Sequence, residues 1–229
     1  MRANQLLMTL AKLSKPSQSQ QGMSLLECLI AIVIVAVVIT SFTPSIFVAV
    51  ATRVQNRRAE QALQLAQAEV DRVRRTMERG VYADTDLPPQ GSQGNSTFRT
   101  ESGPSSTASL SANQLYPSSS STAVSVDVNG DGTNDFMVQT YRSPGVRNNL
   151  NSLIAFNIGV RVYAISAQQN LGQLETRQAS LAFSTAIGQQ QKRPLAVMYT
   201  SVVRSDVRTS LQCYHEFLGT AIAGSQCNN

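Results

Sequence analysis

Apolar residues follow three different patterns along the 229-residue chain. The first is a run, LIAIVIVAVVI at residues 29–39, that is wholly apolar. With looser ends the apolar stretch extends from Leu25 to Ala51, interrupted by Glu27 and by a polar patch at 40–45. About 20 apolar residues suffice to cross a bilayer as a helix. Because this run offers no polar face, the pattern favours a membrane-spanning helix over a buried core helix.

The second pattern is helical spacing over residues 53–79. Six apolar positions recur every three or four residues and form one stripe: Ala59, Leu63, Ala66, Val70, Val73 and Met77. Gly80 is placed to end this helix. No strong helix breaker except Pro44 separates the two patterns. We therefore predict one long helical element, which at 1.5 Å per residue is about 80 Å long. Part of such a helix must lie in a membrane or against other copies of the chain.

The third pattern is the short alternation typical of strands. It occurs in five segments: 124–128, Phe136–Tyr141, Asn157–Ala167, Leu174–Ala186 and Leu195–Val203. Residues 81–122 are rich in Ser, Gly and Pro and predict a loop region with little to bury. We therefore expect an α+β fold. In it, an antiparallel β-meander in a head domain at 123–229 packs on the apolar stripe of the 53–80 helix.

Charge and composition exclude several function classes. The chain carries 19 Lys and Arg against 14 Asp and Glu, but Arg2, Lys12 and Lys15 concentrate the positive charge in the first 22 residues. The basic residues of the head are scattered, so no nucleic-acid partner is expected. With a single histidine, at 215, an H-E-x-x-H metal site is excluded, and neither G-x-S-x-G nor a phosphate-binding P-loop occurs. We expect a non-enzymatic protein.

A short motif marks the boundary between the basic tail and the apolar run. The tail ends at Gly22, Met23 follows, and Glu27 stands just inside the apolar stretch. A carboxylate at the start of a membrane helix costs about 2–3 kcal/mol unless it is paired. An N-terminal amine freed by cleavage after Gly22 is a suitable partner, either in the same chain or in the next copy of a staggered stack.

These residues resemble the class III signal of type IV pilin-like proteins, which include the pseudopilins of secretion systems. Gly22 and Glu27 match that signal, Met23 stands where Phe is usual, and Pro44 falls where many pilins have a proline that bends the long helix. The resemblance covers about residues 20–80. It implies a pilin-like fold and removal of leader 1–22 by a prepilin peptidase, which also methylates the new N-terminus. Residues 23–52 are then a transmembrane helix and later the filament core.

A finer resemblance concerns residues 51–62, ATRVQNRRAEQA, which are similar to pseudopilins linked to hormogonium polysaccharide secretion. This resemblance implies a filament subunit serving polysaccharide secretion and gliding motility. Its partners would be other pilin-like subunits and the inner-membrane assembly platform. The chain would be a single-pass inner-membrane protein with a periplasmic or extracellular head, and later part of an envelope-spanning or surface filament.

Two alternatives to this function remain open. One is a minor subunit of a twitching pilus, which these residues do not separate from a secretion pseudopilin. The other is an exported calcium-binding adhesin or hydrolase released by ordinary signal peptidase, because Ala49-Val50-Ala51 fits the small-x-small cleavage pattern. Cleavage there would place the mature N-terminus at Thr52.

A run of oxygen-bearing side chains predicts a structural calcium site in the head. The pattern D-x-N-x-D-G-x-x-D places ligands at Asp127, Asn129, Asp131, Thr133 and Asp135. Thr133 would contribute its backbone carbonyl. The bidentate glutamate of an EF-hand is missing, because position 12 is Val138, so affinity should be modest. The alternative is a polar β-hairpin turn, since Asn-Gly and Asp-Gly are both strong turn formers.

Three cysteines complete the candidate chemistry. Cys213 and Cys227 could close a C-terminal loop in an oxidising compartment, and the pilin resemblance agrees with such a disulfide; two free thiols are the alternative. A zinc site with His215 lacks a paired ligand spacing. Cys28, next to Glu27, is expected to behave as a small hydrophobic residue.

Overall fold

The computed structural model describes residues 24–80, 82–111, 113–149, 151–180, 188–205, 210–219 and 227. The chain divides into two compact units, Met1–Phe47 and Val48–Asn229. We refer to the second unit as the head.

Helix α1 spans Leu25–Glu78, so the predicted long helical element is confirmed. It continues through Pro44 as helix. At its C-terminal end Gly80 adopts φ 72°, and its N–H donates to Met77 O at 3.2 Å. A positive φ costs glycine little, which explains why the helix ends there.

The described residues of the head contain a six-stranded sheet and a second helix, α2. The strands are β1 Ser106–Ala108, β2 Thr122–Val126, β3 Phe136–Arg142, β4 Val146–Arg147, β5 Leu153–Ala164 and β6 Ala196–Val203. Helix α2 is Ser210–Phe217. The neighbours β2, β3, β5 and β6 are antiparallel in sequence order, which confirms the predicted meander. Strand β1 pairs in parallel with β2, so the sheet is mixed.

The predicted strand at Leu174–Ala186 is wrong over the residues described there. Leu174–Ser180 is irregular, while 181–187 lie outside the described residues. The physical reason lies in the pairing of β5. Strand β3 pairs with one edge of β5 and β6 with the other, so no edge of β5 is left for the intervening chain. Leu174 and Ala179 are buried without a strand ladder.

The core of the head lies between the second half of α1 and one face of the sheet. The helix contributes Ala62, Ala66, Val70, Val73 and Met77, and the sheet contributes residues such as Phe156, Val160 and Val202. Four of these helix positions belong to the predicted stripe. Leu63 was predicted to belong to the buried stripe, but it is exposed, and Ala62, one position earlier, is fully buried in its place. The α+β architecture, with a long helix packed on the sheet, is confirmed.

The opposite face of the sheet is covered by the region predicted to be a loop with little to bury. Phe98, Glu101 and Ser120 of that region are buried. Fully buried Arg161 of β5 holds it to the sheet by donating to the carbonyl oxygens of Glu101 at 2.8 Å and Arg99 at 2.9 Å. Residues 81–122 therefore form a covering layer of the head, although most of them are irregular in conformation.

Candidate functional site

The start of α1 carries a polar cap. The backbone N–H of Glu27 donates to Ser24 Oγ at 3.2 Å and to Ser24 O at 2.9 Å, and the N–H of Cys28 also donates to Ser24 O. Ser24 thus satisfies a backbone donor that the helix cannot pair internally. Glu27 lies in the first turn, where the helix dipole favours a negative charge. Predicted residues Gly22 and Met23 lie outside the described residues.

Ser24 was not among the predicted site residues. Its signal was nevertheless present, because Ser followed three residues later by Glu, just before an apolar run, is the sequence pattern of a capping box. Ser24 and Glu27 together define where the helix starts. The capping residue Ser24 directly follows the predicted mature N-terminus at Met23, and the helix begins at Leu25.

The apolar part of α1 is not covered by any of the described residues of the chain. Large apolar side chains from Leu25 to Val54 are exposed, including Ile32, Val35, Phe42 and Phe47. By length and composition, α1 is long and apolar enough to cross a membrane, and its most apolar window is not buried. A core helix of a globular protein would bury these side chains. An apolar surface of this size is therefore typical of a helix that is covered by lipid or by other protein chains.

The polar patch at 40–45 is compatible with an apolar surrounding. Thr40 Oγ1 donates to Ala36 O at 2.9 Å, Ser41 Oγ donates to Val37 O at 2.7 Å, and Thr43 Oγ1 donates to Ile39 O at 2.7 Å. Each hydroxyl thereby satisfies its donor on the helix itself. Pro44 removes one N–H from this part of the helix. The bend expected at Pro44 stays a prediction.

Comparison with known proteins identifies this segment. Residues 17–43 match a family described as the prokaryotic N-terminal methylation motif, the class III prepilin signal. The chain therefore carries a prepilin-type N-terminus, similar to that of type IV pilin-like proteins. No curated protein and no solved structure matches it. The family match covers the N-terminal motif, whereas the head is described by its own structure alone.

The match and the helix together set the coarse properties of this pilin-like chain. Its N-terminal hydrophobic helix is long and apolar enough to anchor it in a membrane, and its motif is similar to that of pilin and pseudopilin subunits, which are generally non-enzymatic structural proteins. The signal implies processing by a prepilin peptidase and contact with the pilin assembly machinery. The hormogonium subgroup is not shown by this match.

The predicted calcium loop forms a turn closed by its own side chains. Asp127 accepts the N–H groups of Gly130 at 2.7 Å and Gly132 at 2.8 Å, and Asn129 Nδ2 donates to Asp131 Oδ2. Asp135 Oδ2 accepts the N–H of Val128. Hydrogen bonds from the side chain and backbone of Thr133, and from Asn129, lower the pKa of Asp131.

These contacts do not assemble a metal centre. Among the described residues, no group of three or more Asp, Glu, His or Cys is placed to hold a metal ion. The carboxylates instead bind the N–H groups of the turn, as in the hairpin-turn alternative. Calcium binding by Asp127, Asn129, Asp131, Thr133 and Asp135 stays a prediction that this geometry does not support.

The cysteine pair behaves as the pilin resemblance implies. Cys213 of α2 and Cys227 form a disulfide with a Cα–Cα distance of 4.5 Å. Both are buried beside Ile154 of β5, and the N–H of Cys227 donates to Glu216 Oε2. The disulfide rules out the zinc alternative with His215, because neither thiolate is available. Cys28 is a free, exposed cysteine of α1.

Proposed function

We propose that this chain is a structural subunit of a type IV pilus-like or type II secretion-like filament that serves polysaccharide secretion and gliding motility. One observation carries the filament part. The prepilin motif leads into a helix whose apolar residues, from Leu25 to Val50, stay exposed among the described residues of the chain. Such a helix can be buried in lipid and later against the same helix of neighbouring subunits. The polysaccharide role rests on the finer resemblance of residues 51–62.

The assembly step follows from charge at the N-terminal end of α1. Cleavage after Gly22 creates an amine at Met23, four residues before Glu27. In a staggered stack, the amine of one copy can pair with Glu27 of the next, which offsets the cost of holding both charges in an apolar surrounding. Transfer from lipid to a helix bundle removes no water from the apolar surface, so packing must drive it. The sequence has no P-loop, so an external motor supplies the work.

The first test concerns processing and assembly in the native host. The mature protein should begin at a methylated Met23, by mass and N-terminal sequencing. We expect Glu27→Gln to be cleaved normally but to be missing from sheared filaments, because the N-terminal amine loses its charge partner. Glu60→Gln is the matched control, since Glu60 is an exposed carboxylate further along α1. Its incorporation should equal that of wild type.

The outcomes separate the alternatives. A mature start at Thr52 would establish the exported adhesin or hydrolase, and an intact Met1 would leave a simple membrane anchor. Normal incorporation of Glu27→Gln would refute the charge-pairing step. If the variant loses surface filaments and twitching but secretes polysaccharide at the wild-type level, the chain is a pilus subunit and the polysaccharide role is wrong.

A further inference from the structure

A cavity of about 390 Å³ opens in the head between three segments of chain. Its walls come from the end of β3, from residues 84–90 and from residues 114–118. Five of its apolar or aromatic residues are Leu87, Pro88, Pro89, Tyr116 and Pro117, four of them buried. Two charged residues also line it: Arg142, the last residue of β3, and Asp84, whose carboxylate is bound to Arg147.

Arg142 is buried, but its guanidinium makes few hydrogen bonds. The side chain is 5% exposed, yet Nη1 makes a single long hydrogen bond, 3.4 Å, to Ser143 O, and Nε has no partner among the described residues. No carboxylate in the described part of the chain forms an ion pair with it. The nearby Asp84 is bound to Arg147 instead, at 2.7 Å. Burying a guanidinium with so few contacts is costly, and an anion would offset that cost.

A second buried arginine shows that this fold can satisfy such a group. Arg161 is fully buried, and its Nε donates to Tyr199 OH at 3.1 Å while its other nitrogens donate to backbone carbonyls. It therefore has a structural role. Arg142 lacks an equivalent set of acceptors and instead lines a cavity. This contrast points to a ligand that supplies the acceptors from outside.

The rim of the cavity indicates the rest of that ligand. Thr85, Gln90, Gln114 and Ser118 are exposed, and their side chains make no hydrogen bond with the described residues. They are free to bind hydroxyl groups. Burial raises the pKa of Tyr116 to about 12, so the phenol stays neutral beside the ligand. The apolar proline side chains of the wall suit the C–H face of a sugar ring, whereas a simple carboxylate would leave this surface and the rim unused.

We propose that this cavity binds a carboxylated saccharide, such as a hexuronate unit of an acidic polysaccharide, with the sugar carboxylate on the guanidinium of Arg142. Arg142 is suited to this role because its planar group can bind both carboxylate oxygens. The inference deepens the polysaccharide role proposed above and depends on it for the biological source of the sugar. Binding itself requires only the head.

The test is calorimetric titration of the full-length protein, purified in detergent, with glucuronate, glucose or acetate at pH 7. We expect saturable binding of glucuronate, with glucose and acetate each at least about tenfold weaker. Arg142→Gln should weaken glucuronate about tenfold or more, since a charged hydrogen-bonding partner is lost. Arg177→Gln, the loss of one positive charge at an exposed residue outside the cavity lining, should leave the affinity unchanged.

A second variant covers the case in which Arg142→Gln fails to fold. Gln114→Glu places a carboxylate on the rim that competes for Arg142, so glucuronate should bind about tenfold more weakly while the melting temperature holds or rises. Equal binding of glucuronate and glucose, equal binding of acetate and glucuronate, or no binding at all would overturn the proposal. Because this assay does not use filaments, failure here leaves the processing and assembly results untouched.

Discussion

At the scale of single residues, a close contact between β3 and β5 leaves no room for a side chain at one position in the centre of the sheet. Gly159 of β5 pairs directly with Tyr141 of β3 and, on its other side, with Tyr199 of β6. A Cβ on Gly159 would lie 2.5 Å from Cζ of Tyr141 and 2.7 Å from its hydroxyl oxygen. Tyr141 is fully buried, and the guanidinium of Arg161 lies 5.0 Å from its ring centre. The ring therefore has no room to withdraw.

We predict that Gly159→Ala destabilises the head by about 1–3 kcal/mol, the usual cost of overpacking a well-filled core. Thermal or urea unfolding followed by circular dichroism measures this loss. Gly94→Ala is the control, because its Cβ would meet Thr97 Oγ1 at an ordinary 3.7 Å. Equal stability of the two variants would show that Tyr141 can move, contrary to the packing described here.

Residue-level chemistry was predictable where it depends on neighbours in sequence. The paired cysteines were predicted by the pilin resemblance, and the Ser24–Glu27 cap has a local signature. The cramped position of Gly159 and the unsatisfied Arg142 were not predictable, because both depend on which strands and segments become neighbours in space. A glycine in a strand segment and an arginine at its end look ordinary in the sequence.

At the scale of elements, a buried carboxylate organises the layer at 81–122. Glu101 Oε2 accepts from the N–H and hydroxyl of Ser92 at 2.9 and 3.1 Å, and Oε1 accepts from Ser120 Oγ at 2.9 Å. The N–H of Gln93 adds a further contact at 3.3 Å. The side chain of Glu101 thereby connects Ser92 and Gln93 with Ser120, which lies 19 residues after Glu101.

We predict that Glu101→Ala lowers the free energy of unfolding by about 1–3 kcal/mol, because several buried donors lose their acceptor. Amide hydrogen exchange should quicken at Ser92 and Gln93 in particular. Glu60→Ala removes an exposed carboxylate from α1 and should change stability by less than about 0.5 kcal/mol. If Glu101→Ala behaves like this control, the layer is held by other contacts.

The element-level predictions succeeded for the helix and for the meander because each depends on a sustained apolar period. They failed for residues 81–122, because the polar composition of this segment was interpreted as exposure to solvent. Serines of the covering layer find acceptors inside the head, so their polarity did not keep the segment in solvent. Strand β1 has three residues and β4 two, too few for any alternation to be recognised.

At the scale of the whole molecule, the unburied part of α1 determines where the chain can reside. Val35 lies within the apolar run and is exposed. We predict that Val35→Asp costs about 2.5–3.5 kcal/mol of insertion free energy. Alkaline carbonate extraction of membranes should then release the variant into the soluble fraction, or the amount of the variant in the cells should be lower than that of wild type. Leu211→Asp, at an exposed position of α2 in the head, should stay in the membrane pellet like wild type.

The core of the head also has a consequence for synthesis. It unites Ala62 with Val202, and the disulfide that follows joins Cys213 to Cys227. The ribosome therefore has to deliver nearly the whole chain before the core can close, while the anchoring segment emerges first. An incomplete head is held at the membrane surface during that interval, away from other unfinished copies in solution. The disulfide can close only after Cys227 has been synthesised, when all the strands of the sheet are already part of the growing chain.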